Sequence, residues 1–133
     1  MVLHGAIALL IGLVCGIPFA MATIRDWGGD AVRAWQVAHV GGVTIGVALI
    51  AIAAARPNLR LGPAAARAWL WSLVAAGYTF VLGAALAAVA DVRGLTPRGS
   101  PLNAIVFASY LVGTAAAFAG TLLTIRGAWA GRG

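Results

Sequence analysis

Residues 35–55, WQVAHVGGVTIGVALIAIAAA, run for 21 positions with one ionisable side chain, His39, and no formal charge. At 1.5 Å per residue such a run crosses the ~30 Å hydrocarbon core of a bilayer as a single helix. Working outward, three further runs of this kind cover about 2–24, 67–90 and 101–125, with Arg67 at a rim as their only charge. The connections are about ten residues long, which leaves no room for a separate soluble unit and makes consecutive helices antiparallel. The pattern predicts an all-α integral membrane protein, an antiparallel four-transmembrane-helix bundle forming a single membrane domain over 1–133.

Composition agrees. The chain is 62% hydrophobic and 9% charged, with a mean hydropathy of +0.99, and a soluble fold of 133 residues would need far more charge on its surface. The net charge of +6 comes from nine arginines and no lysine against three aspartates. These arginines stand in ones and twos beside span ends, a pattern for lipid headgroups rather than nucleic acid. One face of the membrane holds Arg56, Arg60, Arg67, Arg126 and Arg132, and the other holds Arg25, Arg33, Arg93 and Arg98 with all three aspartates, a slight bias that puts both termini inside. Trp27, Trp35, Trp69, Trp71 and Trp129 fall at or just beyond span ends, as an aromatic belt would. Ala20-Met21-Ala22 mimics a signal cleavage site, but the basic leader is missing, so the first span is read as a retained helix. The lone Cys15 is mid-span and expected to be inert packing.

Helices in lipid associate through small residues that let backbones approach. Gly12 and Gly16, Gly42 and Gly46, and the stripe Gly113, Ala116, Ala117, Gly120 have that spacing. Such stripes serve helix contact, or they form a slot for something flat. Four spans bury little alone, so cyclic self-association is expected.

Ionisable groups inside the membrane are costly and mark function by default. His4 and His39 are the two here, and they enter from opposite faces at depths roughly 20 Å apart, too far to share one iron. His39 lies about 6 Å below the surface, with Gly42 and Gly46 following on its face. Two uses stay open for it: a single axial ligand beside a glycine-lined slot, or a hydrogen bond to a neighbouring helix. His4, near an end, reads as a terminal contact. Its own membrane face also brings His39 near the end of the third span, the start of the fourth with Asn103 and Tyr110, and the turn-rich link 93–101. Arg93 or Arg98 there suits an anionic group, a heme propionate or a lipid phosphate. No glutamate, cysteine cluster, catalytic triad or phosphate loop occurs, and the aspartates lie in or beside loops, so hydrolysis by paired carboxylates is excluded.

Three stretches resemble the styrene oxide isomerase family and its bacterial relatives: His4-Gly5; Trp35-Gln36-Val37-Ala38-His39 with Gly42 and Gly46; and Arg93-Gly94-Leu95-Thr96-Pro97 with Gly99, Pro101 and Asn103. The resemblance implies a homotrimer that binds heme b, with His39 as the iron ligand; the expected place is the bacterial cytoplasmic membrane, and the glycine spacing and the charge read above would put Gly42, Gly46 and Arg93 around the cofactor. It also implies a ferric Lewis acid that opens a small apolar epoxide, with a hydride shift giving an aldehyde or ketone. Two departures stand out. Ile45 replaces the asparagine found six residues after the family's histidine, and Ala76, Tyr78, Phe80 and Ala84 stand where the family has substrate-orienting groups. Tyr78, Tyr110 and Asn103 remain as side chains to serve a ligand, or as helix–helix hydrogen bonds. The readings are therefore a heme-dependent epoxide isomerase, a non-catalytic heme protein for redox or gas sensing or heme handling, and a cofactor-free accessory subunit.

Overall fold

The computed structural model describes residues 1–131. Helices α1 (Val2–Ile24), α2 (Gly29–Ala55), α3 (Pro63–Ala90) and α4 (Pro101–Ala130) follow in order, with a 3₁₀ turn at Arg56–Asn58 behind α2. All four are long and apolar enough to cross a membrane, and no strand occurs among the described residues. Arg132, assigned above to the face of the termini, lies outside the described residues.

Three helix ends run past the apolar spans: α2 starts at Gly29 rather than 35, α3 at Pro63 rather than 67, and α4 ends at Ala130 rather than 125. Hydropathy marks what lipid requires, whereas a helix continues until its hydrogen bonding stops. Asp30 in the first turn of α2 complements the helix dipole, and Pro63 and Pro101 open α3 and α4 where a missing N–H costs nothing.

Glycine sets how closely α1 and α2 approach. A Cβ on Gly42 would come within 2.5 Å of the Gly12 Cα, and one on Gly46 within 2.5 Å of the Leu9 nitrogen. The two backbones therefore touch directly, which only glycine permits. α4 follows a different rule. Its buried residues, Val106, Gly113, Gly120 and Gly127, recur every seven positions and form one seam, the period of a left-handed helix pair. On α3, Leu73 fills the space over Gly120, and Thr79 and Phe80 fill that over Gly113. Trp69 joins this seam, buried at 3% exposure with its indole N–H donating to Thr124 Oγ1 at 2.8 Å. That corrects the belt reading for Trp69, because an indole N–H with an inward partner no longer needs the interface. Trp71 and Trp129 are exposed, as a belt requires.

α4 packs along α3 and makes no contact of comparable extent with α1 or α2. The bundle is thus open on one side, with a groove between α2 and α4 floored by α3.

The link from α3 to α4 is a defined turn. Asp91 ends α3 in the left-handed conformation (φ 50°), and Gly94 takes φ 61°, where a side chain is strained and a Cβ would also press on Val106. Asn103 ties the link together: its Oδ1 accepts the Gly94 N–H at 2.8 Å, and its Nδ2 donates to the Thr96 and Arg98 carbonyls at 2.7 Å each. Asn103→Ala removes all three bonds and is expected to cost about 2 kcal/mol, measured by denaturant unfolding in detergent. Asn103→Asp, which keeps the acceptor for Gly94 but not the two donations, should fall between.

Candidate functional site

His39 sits on the α2 face that meets α1, half-buried. Its Nδ1 lies 2.9 Å from the Gly12 carbonyl oxygen. A carbonyl carries no proton, so Nδ1–H is the donor, and the lone pair of the neutral ring is fixed on Nε2. Nε2 has no hydrogen-bond partner among the described residues and is not sealed inside the chain. Phe19 stacks on the imidazole with centroids 5.9 Å apart and planes inclined by 19°. Gly16 makes the approach possible: a Cβ there would stand 2.9 Å from Nδ1 and 3.0 Å from Cε1. The sequence left Gly16 to helix contact or to a slot for something flat. The structure shows that it makes room for a ring, a role invisible until α1 and α2 are set side by side.

A neutral imidazole whose Nδ1–H is anchored on a backbone carbonyl, with Nε2 free, is the donor chemistry of a single axial heme ligand. The residues fit that group at the ligand atom. The glycine-lined slot expected beside His39 is closed, and the ring makes the hydrogen bond to a neighbouring helix that was the other use left open for it. Gly42 and Gly46 do not hold open space beside His39, because Gly12 and Leu9 of α1 occupy it.

The other histidine is at a different depth. His4 Nδ1 is 3.2 Å from the Tyr78 hydroxyl, with Trp71 6.0 Å away between ring centroids. The expected terminal contact is therefore a link between α1 and α3. The His39 ring lies level with Gly12 to Phe19, so the two imidazoles share no ligand, and no cluster of three metal-ligating side chains occurs among the described residues. Cys15 is buried against Ala38 and Ala84, as packing.

Tyr78, Asn103 and Tyr110 separate cleanly. The Tyr78 hydroxyl pairs with His4, and Asn103 is engaged in the link. Tyr110 enters the open groove, in a cavity of about 440 Å³ bounded by Val37, Gly41, Gly42 and Ile45 on α2 and by Phe80 and Ala84 on α3. Arg93 and Leu95 cover one end. A second cavity of about 520 Å³ shares Val37, Ala84, Arg93, Leu95 and Tyr110 and continues to Asp30, Arg33 and Asp91 at the surface. Arg93 contacts Asp30 at 3.3 Å with both side chains largely exposed, a pair worth little by itself. Of the departures noted in the sequence, Ile45, Phe80 and Ala84 line the inner cavity. At 3.6 residues per turn, Ile45 stands about 120° round α2 from His39, and His39 lines neither cavity.

A family model described as styrene oxide isomerase matches residues 1–129. No curated protein and no solved structure matches the chain.

Proposed function

The chain belongs to the styrene oxide isomerase family, and from that premise we propose that it binds heme b through His39 and isomerises a small apolar epoxide to an aldehyde or ketone. The observation that carries the reading is the bond from His39 Nδ1 to the Gly12 carbonyl at 2.9 Å, which leaves Nε2 without a partner.

Each residue then has a task. Gly12 selects the tautomer, Gly16 admits the ring, Phe19 keeps its plane, and Nε2 is the ligand atom. Ferric heme, when bound, supplies a Lewis acid with one open coordination position for an oxygen lone pair. The groove between α2 and α4 supplies an apolar space for a substrate that partitions from the bilayer. Its walls at Ile45, Phe80 and Ala84 offer no polar side chain to water and suit a hydrophobic body.

His39 lines neither cavity, so in this reading a second copy brings the groove of one protomer to the His39 of the next. A head-to-tail ring does this, and a homotrimer is the assembly we propose. Arg93 at the groove mouth would hold an anionic group of the cofactor once its exposed pairing with Asp30 is exchanged.

The test is an absorption spectrum of detergent-purified protein followed by a panel of aryl and alkyl epoxides without added reductant. A Soret band with carbonyl product is expected. A colourless protein after expression with ample heme would end the heme reading and leave an accessory subunit. A second reading is favoured by the apolar side chains of Ile45 and Ala84, which offer a substrate oxygen no hydrogen bond. It is a non-catalytic heme protein, and a Soret band that responds to reduction or carbon monoxide while no epoxide turns over would select it.

A further inference from the structure

The inner cavity of the groove is apolar along α2 and α3, and the two side chains that bring polar atoms to it are Arg93 and Tyr110. Arg93 is at the surface end and already pairs with Asp30. The Tyr110 hydroxyl makes no hydrogen bond among the described residues: the one side chain bonded to this residue, Thr114, uses its backbone carbonyl. The ring is nonetheless held. It stacks on Phe80 with centroids 6.3 Å apart and planes inclined by 30°, and its Cε1 lies where a Cβ on Gly83 would stand 3.1 Å away. A fixed aromatic ring therefore stands in the wall of this cavity with its O–H unclaimed by the described residues.

We propose that Tyr110 binds the oxygen of the groove's ligand, donating its O–H to a neutral ether or carbonyl oxygen while the ligand's apolar body lies against Ile45, Phe80 and Ala84. The inference rests on the groove being the substrate space of the isomerase reading. It gives that space a specificity: one uncharged acceptor oxygen on a small hydrophobic body. A hydrocarbon without oxygen leaves the hydroxyl unpaired in an apolar surrounding. It also accounts for a groove able to orient an oxygen with Ile45 and Ala84 in its wall, because the hydrogen bond comes from α4.

The probe is acetophenone labelled with ¹³C at the carbonyl, added to the full chain in lipid nanodiscs and followed by infrared spectroscopy. Bound acetophenone is expected to show a carbonyl band lowered in frequency by the hydrogen bond, beside the band of probe dissolved in lipid. The lowered band should survive Tyr78→Phe and disappear in Tyr110→Phe, with binding roughly three- to tenfold weaker in the latter, the range for one neutral hydrogen bond. Ala84→Phe, which fills the cavity while keeping the hydroxyl, should remove the bound probe altogether. A lowered band that persists in Tyr110→Phe, or no such band in the unaltered protein, overturns the assignment. The measurement reads neither the Soret band nor turnover, so the isomerase reading and the Tyr110 assignment fail by separate observations.

Discussion

His39→Ala is expected to abolish the Soret band of protein expressed with ample heme, and epoxide conversion with it, while far-UV circular dichroism stays unchanged. The side chain makes one hydrogen bond, to a carbonyl in the middle of α1, so its loss removes the ligand atom without opening a helix. Added imidazole should restore part of the band, because the space against Gly16 and the acceptor at Gly12 both remain. A Soret band of full intensity in His39→Ala would assign the iron to another residue and remove the basis of the proposed function.

A pair of glycine substitutions on the same helix interface should separate site from fold. Gly16→Ala sets a methyl 2.9 Å from His39 Nδ1, and the neighbour that must yield is a side chain. Forcing the imidazole off its rotamer costs about 1 kcal/mol, so heme affinity should fall about five- to tenfold with little change in unfolding. Gly42→Ala meets the Gly12 backbone at 2.5 Å, which cannot move unless α1 and α2 part. Overpacking of that kind is expected to cost about 2–3 kcal/mol, read as a loss of stability in detergent before any effect on cofactor binding. Equal effects on heme and stability in both variants would mean that Gly16 is only a packing residue.

The four crossings were legible because each is a long apolar run whose only demand is length, and α1 matched its span end for end at Val2–Ile24. The ends of α2, α3 and α4 were less legible, since Gly29–Ala34 and Arg126–Ala130 are helical through backbone hydrogen bonds that hydropathy does not register. His39 could be singled out by the cost of an imidazole in lipid. Its partner could not, because Gly12 is a contact across 27 residues of sequence that exists only once two helices are paired. The same limit hid the difference between Tyr78 and Tyr110. Both read as groups to serve a ligand or to bond a neighbouring helix, and only the fold gives one hydroxyl to His4 and leaves the other without a partner among the described residues. The glycines misled in one respect: Gly42 and Gly46 do follow His39 along α2, but the space they open is taken by the neighbouring backbone.

The choice of a backbone amide as the acceptor for His39 has an electronic consequence. When a ligating imidazole points its N–H at a carboxylate, the proton is drawn away and the ring pushes electron density onto its metal. Gly12 offers a neutral oxygen, and the three aspartates of the chain stand at the helix ends, away from this ring. An iron held here would keep more of its positive charge. It would be the poorer for breaking an oxygen–oxygen bond and the better for drawing on the lone pair of a strained ring.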